Sequence, residues 1–457
     1  MKNKSVSLVF WVSLVICTIF VAFGAIFPKQ LEKLTQNITT FIALHFSWYY
    51  LLLVLVILFV CVYILFSRYA NITLGEEGED PEFSLPSWFA MLFSAGMGIG
   101  LVFWTTAEPI SHAFKLTPIH IGGAIDVLAV IATVTGVAAT LGFGALQINE
   151  GLHFLFNVPS NFTMQVILIV IATILFTWSA WSGIDKGIKT LSNINMLLAF
   201  VVLIGLFIVG PTLYILNTFT NGLGNYIANF FSMSLRIPTG GQKFQWLQNW
   251  TIFYWAWWIS WAPFVGIFIA RVSKGRTIKE FILGVLFVPA LVCFIFFAVF
   301  GASAIYLQDN HIADIAKAAT ETATFATLQH YPLGFVLSLI TLLVIMIFFV
   351  TSADSATYVL GMLSSSGDIN PKSFVKVSWG IIMALFAIIM IYTGGTQAIQ
   401  NLLIIAALPF SVVIIAMIWS LIKSLSEEKP RNSNKVLIKH RDPDILEYRS
   451  SKHIDEN

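Results

Sequence analysis

The chain reads as an all-α polytopic membrane protein, and three observations carry that reading. Of its 457 residues, 58% are hydrophobic and 11% charged. Mean hydropathy is +0.85. The apolar residues fall into eleven runs of about 20 residues or more, the length needed to cross a bilayer as helix. No soluble core uses that much apolar sequence.

The runs lie at 6–27, 46–67, 86–110, 122–147, 161–182, 190–216, 246–270, 278–307, 332–362, 373–392 and 397–423. The first follows Lys2 and Lys4 and resembles a signal peptide. It has no small-residue cleavage motif, so it is expected to stay as a span. Residues 217–235 and 310–328 are expected to be short amphipathic helices on the surface. From Ser426 the chain turns polar and charged, as in a solvated cytoplasmic tail over 426–457. The three cysteines sit inside apolar runs and offer neither a disulfide framework nor metal spacing. A net charge of +2 provides no basic face for nucleic acid.

Charge placement exposes an inconsistency in the count. Lysines 2 and 4 place the N-terminus inside. Lys186 and Lys189, then Arg271, Lys274 and Arg276, then Lys372 and Lys376, and finally the basic tail all belong inside by the same rule. The intervening loops are acidic or neutral. Both sets agree only if the run at 122–147 starts inside, so one crossing is missing between Lys115 and Gly122. Carriers built from two inverted five-helix repeats give the same answer. Five runs lie from 246 onward and two precede the repeats, which leaves four where five are needed. The expected organisation is a two-helix segment (1–85), a first repeat one helix short (86–235), a second repeat (236–425) and the tail.

Three segments carry chemistry. Trp250-Thr-Ile-Phe-Tyr-Trp255-Ala-Trp257-Trp258-Ile-Ser-Trp261 puts five tryptophans and a tyrosine in one apolar run. At helical spacing Trp250, Tyr254, Trp257 or Trp258, and Trp261 share a side. A quaternary ammonium has no N–H to donate, so aromatic faces are its natural partner. Trp246 and Trp250, at the start of the run, also fit an aromatic belt at the membrane surface. In the third run, Ser94-Ala-Gly96-Met97-Gly98-Ile-Gly100 interrupts helix and would free backbone carbonyls for a cation. Packing of small residues between helices explains the same glycines. In the ninth run, Phe348-Phe-Val-Thr351-Ser352-Ala-Asp354-Ser355 sets hydroxyls and an acid in an apolar helix. Hard oxygens suit Na⁺, and back-bonding of the hydroxyls to their own helix is the plain alternative. Thr133, in the run at 122–147, could face an ion, and a structural role explains it better. No triad, zinc or phosphate-loop signature appears, so the chain is not expected to be an enzyme or to hold a cofactor.

Together, Gly96–Gly100 with Ala107-Glu108-Pro109, Trp250–Trp261 continuing through Pro263-Phe264 to Arg271, and Thr351-Ser-Ala-Asp-Ser355 resemble the betaine/carnitine/choline transporter family. The resemblance runs to about residue 425. It implies the two-plus-five-plus-five fold, here with eleven spans instead of twelve because the family's fourth helix has no counterpart. It implies sodium-coupled uptake of glycine betaine or an analogue across a bacterial inner membrane, and a homotrimer. Carried over, Trp258 is the chief ammonium contact, with Trp255, Trp257, Trp261, Gly98 and Gly100 as further substrate-binding residues. Gly100 is similar to the sodium/glycine-betaine branch. The carbonyls of Ser94, Met97 and Phe348 and the hydroxyls of Thr351 and Ser352 would hold one Na⁺, and Phe264 would face a second cation. The absent helix takes part of the aromatic cage with it. A transport-defective deletion variant is therefore one alternative reading, and a choline or ectoine carrier is another. A membrane enzyme would need a metal or nucleophile cluster that this sequence does not show, and a tail-driven osmosensor that no longer transports is a further reading that the modest length and mixed charge of the tail disfavour.

Overall fold

A computed structural model describes residues 7–75, 80–94, 121–182, 185–368 and 371–427. Fourteen α-helices follow one another among them: α1 (Leu8–Ile26), α2 (Pro28–Phe66), α3 (Leu85–Ser94), α4 (Ile121–Phe156), α5 (Phe162–Ser182), α6 (Asp185–Val209), α7 (Thr212–Ser234), α8 (Gly241–Leu247), α9 (Phe253–Val272), α10 (Ile278–Phe296), α11 (Ala302–Asp309), α12 (Ala323–Leu328), α13 (Gly334–Leu363) and α14 (Ser373–Glu427). Among the described residues the only strand-like pairing is one isolated bridge, Thr73 to Thr277. Among the described residues seven helices are long and apolar enough to cross a membrane, or up to eight if a bent helix pair is counted as one span. The all-α polytopic reading stands.

Several boundaries differ from expectation for local reasons. Helix α2 begins eighteen residues before the apolar run at 46, because Pro28 occupies its first turn and needs no partner for the missing N–H. Helix α4 continues beyond 147 through a polar turn that Asn149 closes. Its Nδ2 donates to the Pro159 carbonyl (3.0 Å) and its Oδ1 accepts from the Asn161 N–H (3.2 Å). The run at 190–216 breaks at Gly210-Pro211, where Ile194–Val209 and Thr212–Ser234 meet at 109°. The surface helix expected at 217–235 is thus α7, starting earlier. The helix expected over 310–328 is not continuous. A 3₁₀ turn at Ile315–Lys317 and the six-residue α12 stand in its place. The exposed Asp314–Lys317 pair (2.5 Å) lies at that turn.

Helix α14 merges the last two runs and bends at Gly394 and Gly395. Gly395 has φ +57°, a left-handed conformation that a side chain disfavours. Helices α4, α13, α14 and α9 form the centre. Helix α14 packs most extensively on α4, and α9 lies against both. Small residues let the backbones approach. A Cβ on Gly144 would lie 2.4 Å from the Phe349 ring, the close packing expected between membrane helices. The basic loop after α9 is tied down. Trp88 of α3 is buried, donates to Ser273 Oγ (2.9 Å), and lies 4.3 Å beneath the Arg276 guanidinium.

Candidate functional site

From Trp246 to Ala270 there is no charged residue. This run enters the fold through α8, a π-helical segment at Gln248–Ile252, and then α9. The π segment was not legible from composition. It adds a residue to one turn and so re-aims the side chains above it relative to those below.

Exposure along the aromatic stripe falls steadily from Trp246 toward the end nearer Arg271. Trp246 is 60% exposed, Trp250 46%, Tyr254 36%, and Trp261 6%, with Trp257 and Trp258 half-buried between. The partners of each ring explain the gradient. Trp250 stacks on Tyr254 (6.3 Å, 12°) at the exposed end, as an interfacial pair does. Trp257 is enclosed by Phe143 of α4 (5.3 Å) and by Phe253 (5.4 Å). Trp255 packs on the core. Trp261 is buried, donates through Nε1 to the Gly136 carbonyl (2.8 Å), and meets Phe264 edge-on (5.4 Å, 77°). A Cβ on Gly136 would lie 2.8 Å from the Trp261 ring, so only glycine admits it. Phe264 is itself buried.

Trp258 differs from its neighbours. Among the described residues it makes no ring pair and no hydrogen bond, and it is half-buried. Its indole faces are therefore not consumed by aromatic packing within α9 or α4.

The hydroxyl stretch of α13 is arranged differently. Thr351 is buried and donates to the carbonyls of Ile347 (3.0 Å) and Phe348 (3.3 Å) of its own helix. Ser355 donates to Thr351 O (2.9 Å). Back-bonding of this kind uses the proton and leaves oxygen lone pairs, so Thr351 Oγ1 keeps acceptor capacity for a cation. Ser352 is half-buried and Phe348 exposed. Thr133 of α4 is likewise bonded to its own helix, at the Ala129 carbonyl (2.8 Å). Ser94 is the last described residue of α3. Gly96, Met97, Gly98 and Gly100, with Glu108 and Pro109, lie outside the described residues, as does the junction from Lys115 to His120. Among the described residues no three His, Cys, Asp or Glu side chains gather as a metal site.

The sequence matches the betaine/carnitine/choline family transporter over residues 8–123 and 119–430. The chain belongs to this family. The glycine betaine transporter OpuD of Bacillus subtilis (strain 168) is 47% identical, with 93% of this chain and 96% of the relative covered. The ectoine/hydroxyectoine transporter of Virgibacillus pantothenticus is 38% identical over 93% of this chain and 98% of its own. The osmo-dependent choline transporter BetT2 of Acinetobacter baylyi (strain ATCC 33305 / BD413 / ADP1) is 33% identical over 95% and 74%. The chain is thus a multi-pass membrane carrier of the betaine/choline/ectoine type rather than an enzyme.

As a member of this carrier family, the chain is short. The OpuD alignment is 489 positions long, and the chain has 457 residues, so at least 489 − 457 = 32 positions have no residue here. With 93% of the chain aligned, about 425 residues, the shortfall is about 64 positions. The two matched stretches meet at 119–123, the junction where charge placement requires one more crossing.

Two participants escaped the sequence reading. Phe143 and Phe253 enclose Trp257. Phenylalanine is the commonest aromatic in the chain, with 40 copies, so no single one stands out.

Proposed function

We propose that this carrier takes up glycine betaine together with Na⁺ across a bacterial inner membrane by alternating access. The observation that carries the reading is Trp258, a half-buried indole with no ring pair and no hydrogen bond among the described residues, in a stretch without charge from Trp246 to Ala270. Such a face holds a methylated cation that cannot donate hydrogen bonds. Trp255, Trp257 and Trp261 are assigned as further substrate contacts, with Trp257 and Trp261 lining the path on the outer and inner sides. Na⁺ is assigned to the carbonyls of Ser94, Met97 and Phe348 with the hydroxyls of Thr351 and Ser352, and a second cation to the neighbourhood of Phe264. Gly98 and Gly100 would let substrate approach the backbone. The core is taken as two inverted repeats, 86–235 and 236–425, the first lacking one helix, and the assembly as a homotrimer. Glycine betaine is preferred to choline or ectoine because the most similar of the three relatives above is a glycine betaine transporter.

A second reading, a transport-defective deletion variant, is favoured by the positions missing against OpuD. Losing one helix removes aromatic faces worth about 0.5–2 kcal/mol each toward a cation. Uptake of labelled glycine betaine in a strain without its own betaine carriers separates the two. Accumulation that disappears when Na⁺ is replaced by K⁺ supports the symporter. Binding without accumulation supports the variant. Neither binding nor accumulation removes the cage assignment.

A further inference from the structure

Trp88 belongs to another helix than the stripe. It sits near the start of α3, on the side of the basic loops, which is cytoplasmic by the positive-inside rule. It is fully buried, and both its edge and its face are engaged. Nε1 donates to Ser273 Oγ (2.9 Å), and the Arg276 guanidinium lies over the ring at 4.3 Å. Arg276 is itself 5% exposed and donates through Nη2 to the Phe83 carbonyl (2.7 Å). Among the described residues it forms no ion pair. A buried guanidinium without a carboxylate is costly unless its charge finds another partner. Here the indole face is that partner. The two side chains therefore hold each other in place.

Backbone bonds tie the same junction. The Leu74 N–H donates to the Arg276 carbonyl (2.8 Å), and the Gly275 N–H donates to the Leu74 carbonyl (2.7 Å). The benzene edge of the indole rests on Gly284 of α10, where a Cβ would run into the ring. The start of α3 is thus fixed to the junction between α9 and α10. Among the described residues no hydrogen bond joins α3 to α9 along their lengths, so this junction is their polar connection. Trp88 precedes Ser94 by six residues on α3. Ser273 follows Trp258 by fifteen residues and caps the end of α9.

A helix pinned at one end passes a displacement at the other to its anchor, because a close-packed interior transmits strain. We propose that Trp88 is a positioning residue: an ion held at the Ser94 end of α3 sets the placement of α9, and so of Trp258, through the indole clamped between Ser273 and Arg276. The binding of Na⁺ and of glycine betaine is linked through this clamp. The choice of ligands rests on the proposed function. The path rests on the buried indole and its partners.

The test measures equilibrium binding of labelled glycine betaine to the full chain in nanodiscs, in Na⁺ and with Na⁺ replaced by K⁺, beside thermal midpoints. Trp88→Phe keeps a ring and loses the N–H. Arg276→Lys keeps the charge and loses the planar face. Gly284→Ala pushes on the ring from another helix and leaves Ser273 and Arg276 unchanged. In the unsubstituted chain Na⁺ should raise affinity about 5- to 150-fold, the usual range of coupling between two sites. In the variants that ratio should fall to about twofold or less, while affinity in K⁺ stays within about twofold. A role in packing alone would lower the midpoint and keep the ratio of the unsubstituted chain, and that result overturns the proposal. The ratio kept in Trp88→Phe and Arg276→Lys at unchanged midpoints overturns it too. The failures are distinguishable. A large ratio that survives in the variants removes the role of Trp88 and leaves Na⁺ coupling standing. A ratio of one in the unsubstituted chain removes Na⁺ coupling from the proposed function, and this role falls with it.

Discussion

The aromatic stripe of α9 and the hydroxyl stretch of α13 both place unusual side chains in long apolar helices, yet the fold commits them in different ways. In α13 the Thr351 proton goes to carbonyls of its own helix, and what remains for a ligand is an oxygen lone pair. In α9 commitment changes along the helix. Trp250 is paired at the surface, Trp257 is flanked by phenylalanines, Trp261 is locked to Gly136, and Trp258 has no ring or hydrogen-bond partner among the described residues. Residue type alone therefore does not identify a contact residue. The question is which bonding capacity folding has already used, and substitutions separate the two regions on that basis.

The largest effect is expected at Trp261. Trp261→Ala removes a buried ring and leaves the Gly136 carbonyl without its donor. The cost is on the order of 2–4 kcal/mol, mostly lost packing, because lipid tails are as apolar as the core. Thermal unfolding in detergent should show a clearly lower midpoint. An unchanged midpoint would mean that Trp261 belongs with Trp258 as an uncommitted ring. Next comes Thr351→Val, which keeps shape and loses only the hydroxyl. Removing one oxygen ligand of a charged species costs about 1.5–3 kcal/mol. The Na⁺ concentration that half-saturates betaine binding should rise roughly tenfold or more, since about 1.4 kcal/mol is a factor of ten. The unfolding midpoint should hardly move, because Thr351 bonds only within its helix. A fall in stability with unchanged Na⁺ dependence would make α13 a packing element only. The smallest effect is expected at Trp250→Ala. An exposed position costs within about 0.5 kcal/mol, and betaine affinity should stay within about twofold. A large loss of affinity there would extend the cage to the surface.

Most of the spans were legible because a 20-residue apolar run has few other uses. The break in α14 was legible too, since Thr393-Gly-Gly-Thr396 ends one run and precedes the next. Three features were not. The polar first half of α2 carries Lys29, Glu32, Lys33 and Gln36. It is helical through its start at Pro28, with no hydropathy to announce it. The π turn at Gln248–Ile252 packs against α2, a contact that composition does not record. Residues 310–328, alanine-rich and helix-favouring in part, yielded to a 3₁₀ turn and threonine-rich joints. At the candidate site spacing singled out the tryptophans but left Trp257 and Trp258 unranked, and only the family resemblance put Trp258 first. The partners that occupy Trp257 and Trp261, Phe143 and Gly136, face α9 only after α4 has packed.

Equilibrium binding of labelled glycine betaine to the purified full chain, with Trp258→Ala and Trp258→Phe measured beside it, tests the central claim most directly. If Trp258 holds the ammonium, alanine lowers affinity by about tenfold or more, and phenylalanine, which keeps a smaller aromatic face, lowers it less. Thermal midpoints should stay close to that of the unsubstituted chain. Equal affinities in all three proteins would contradict the account and move the cation away from α9.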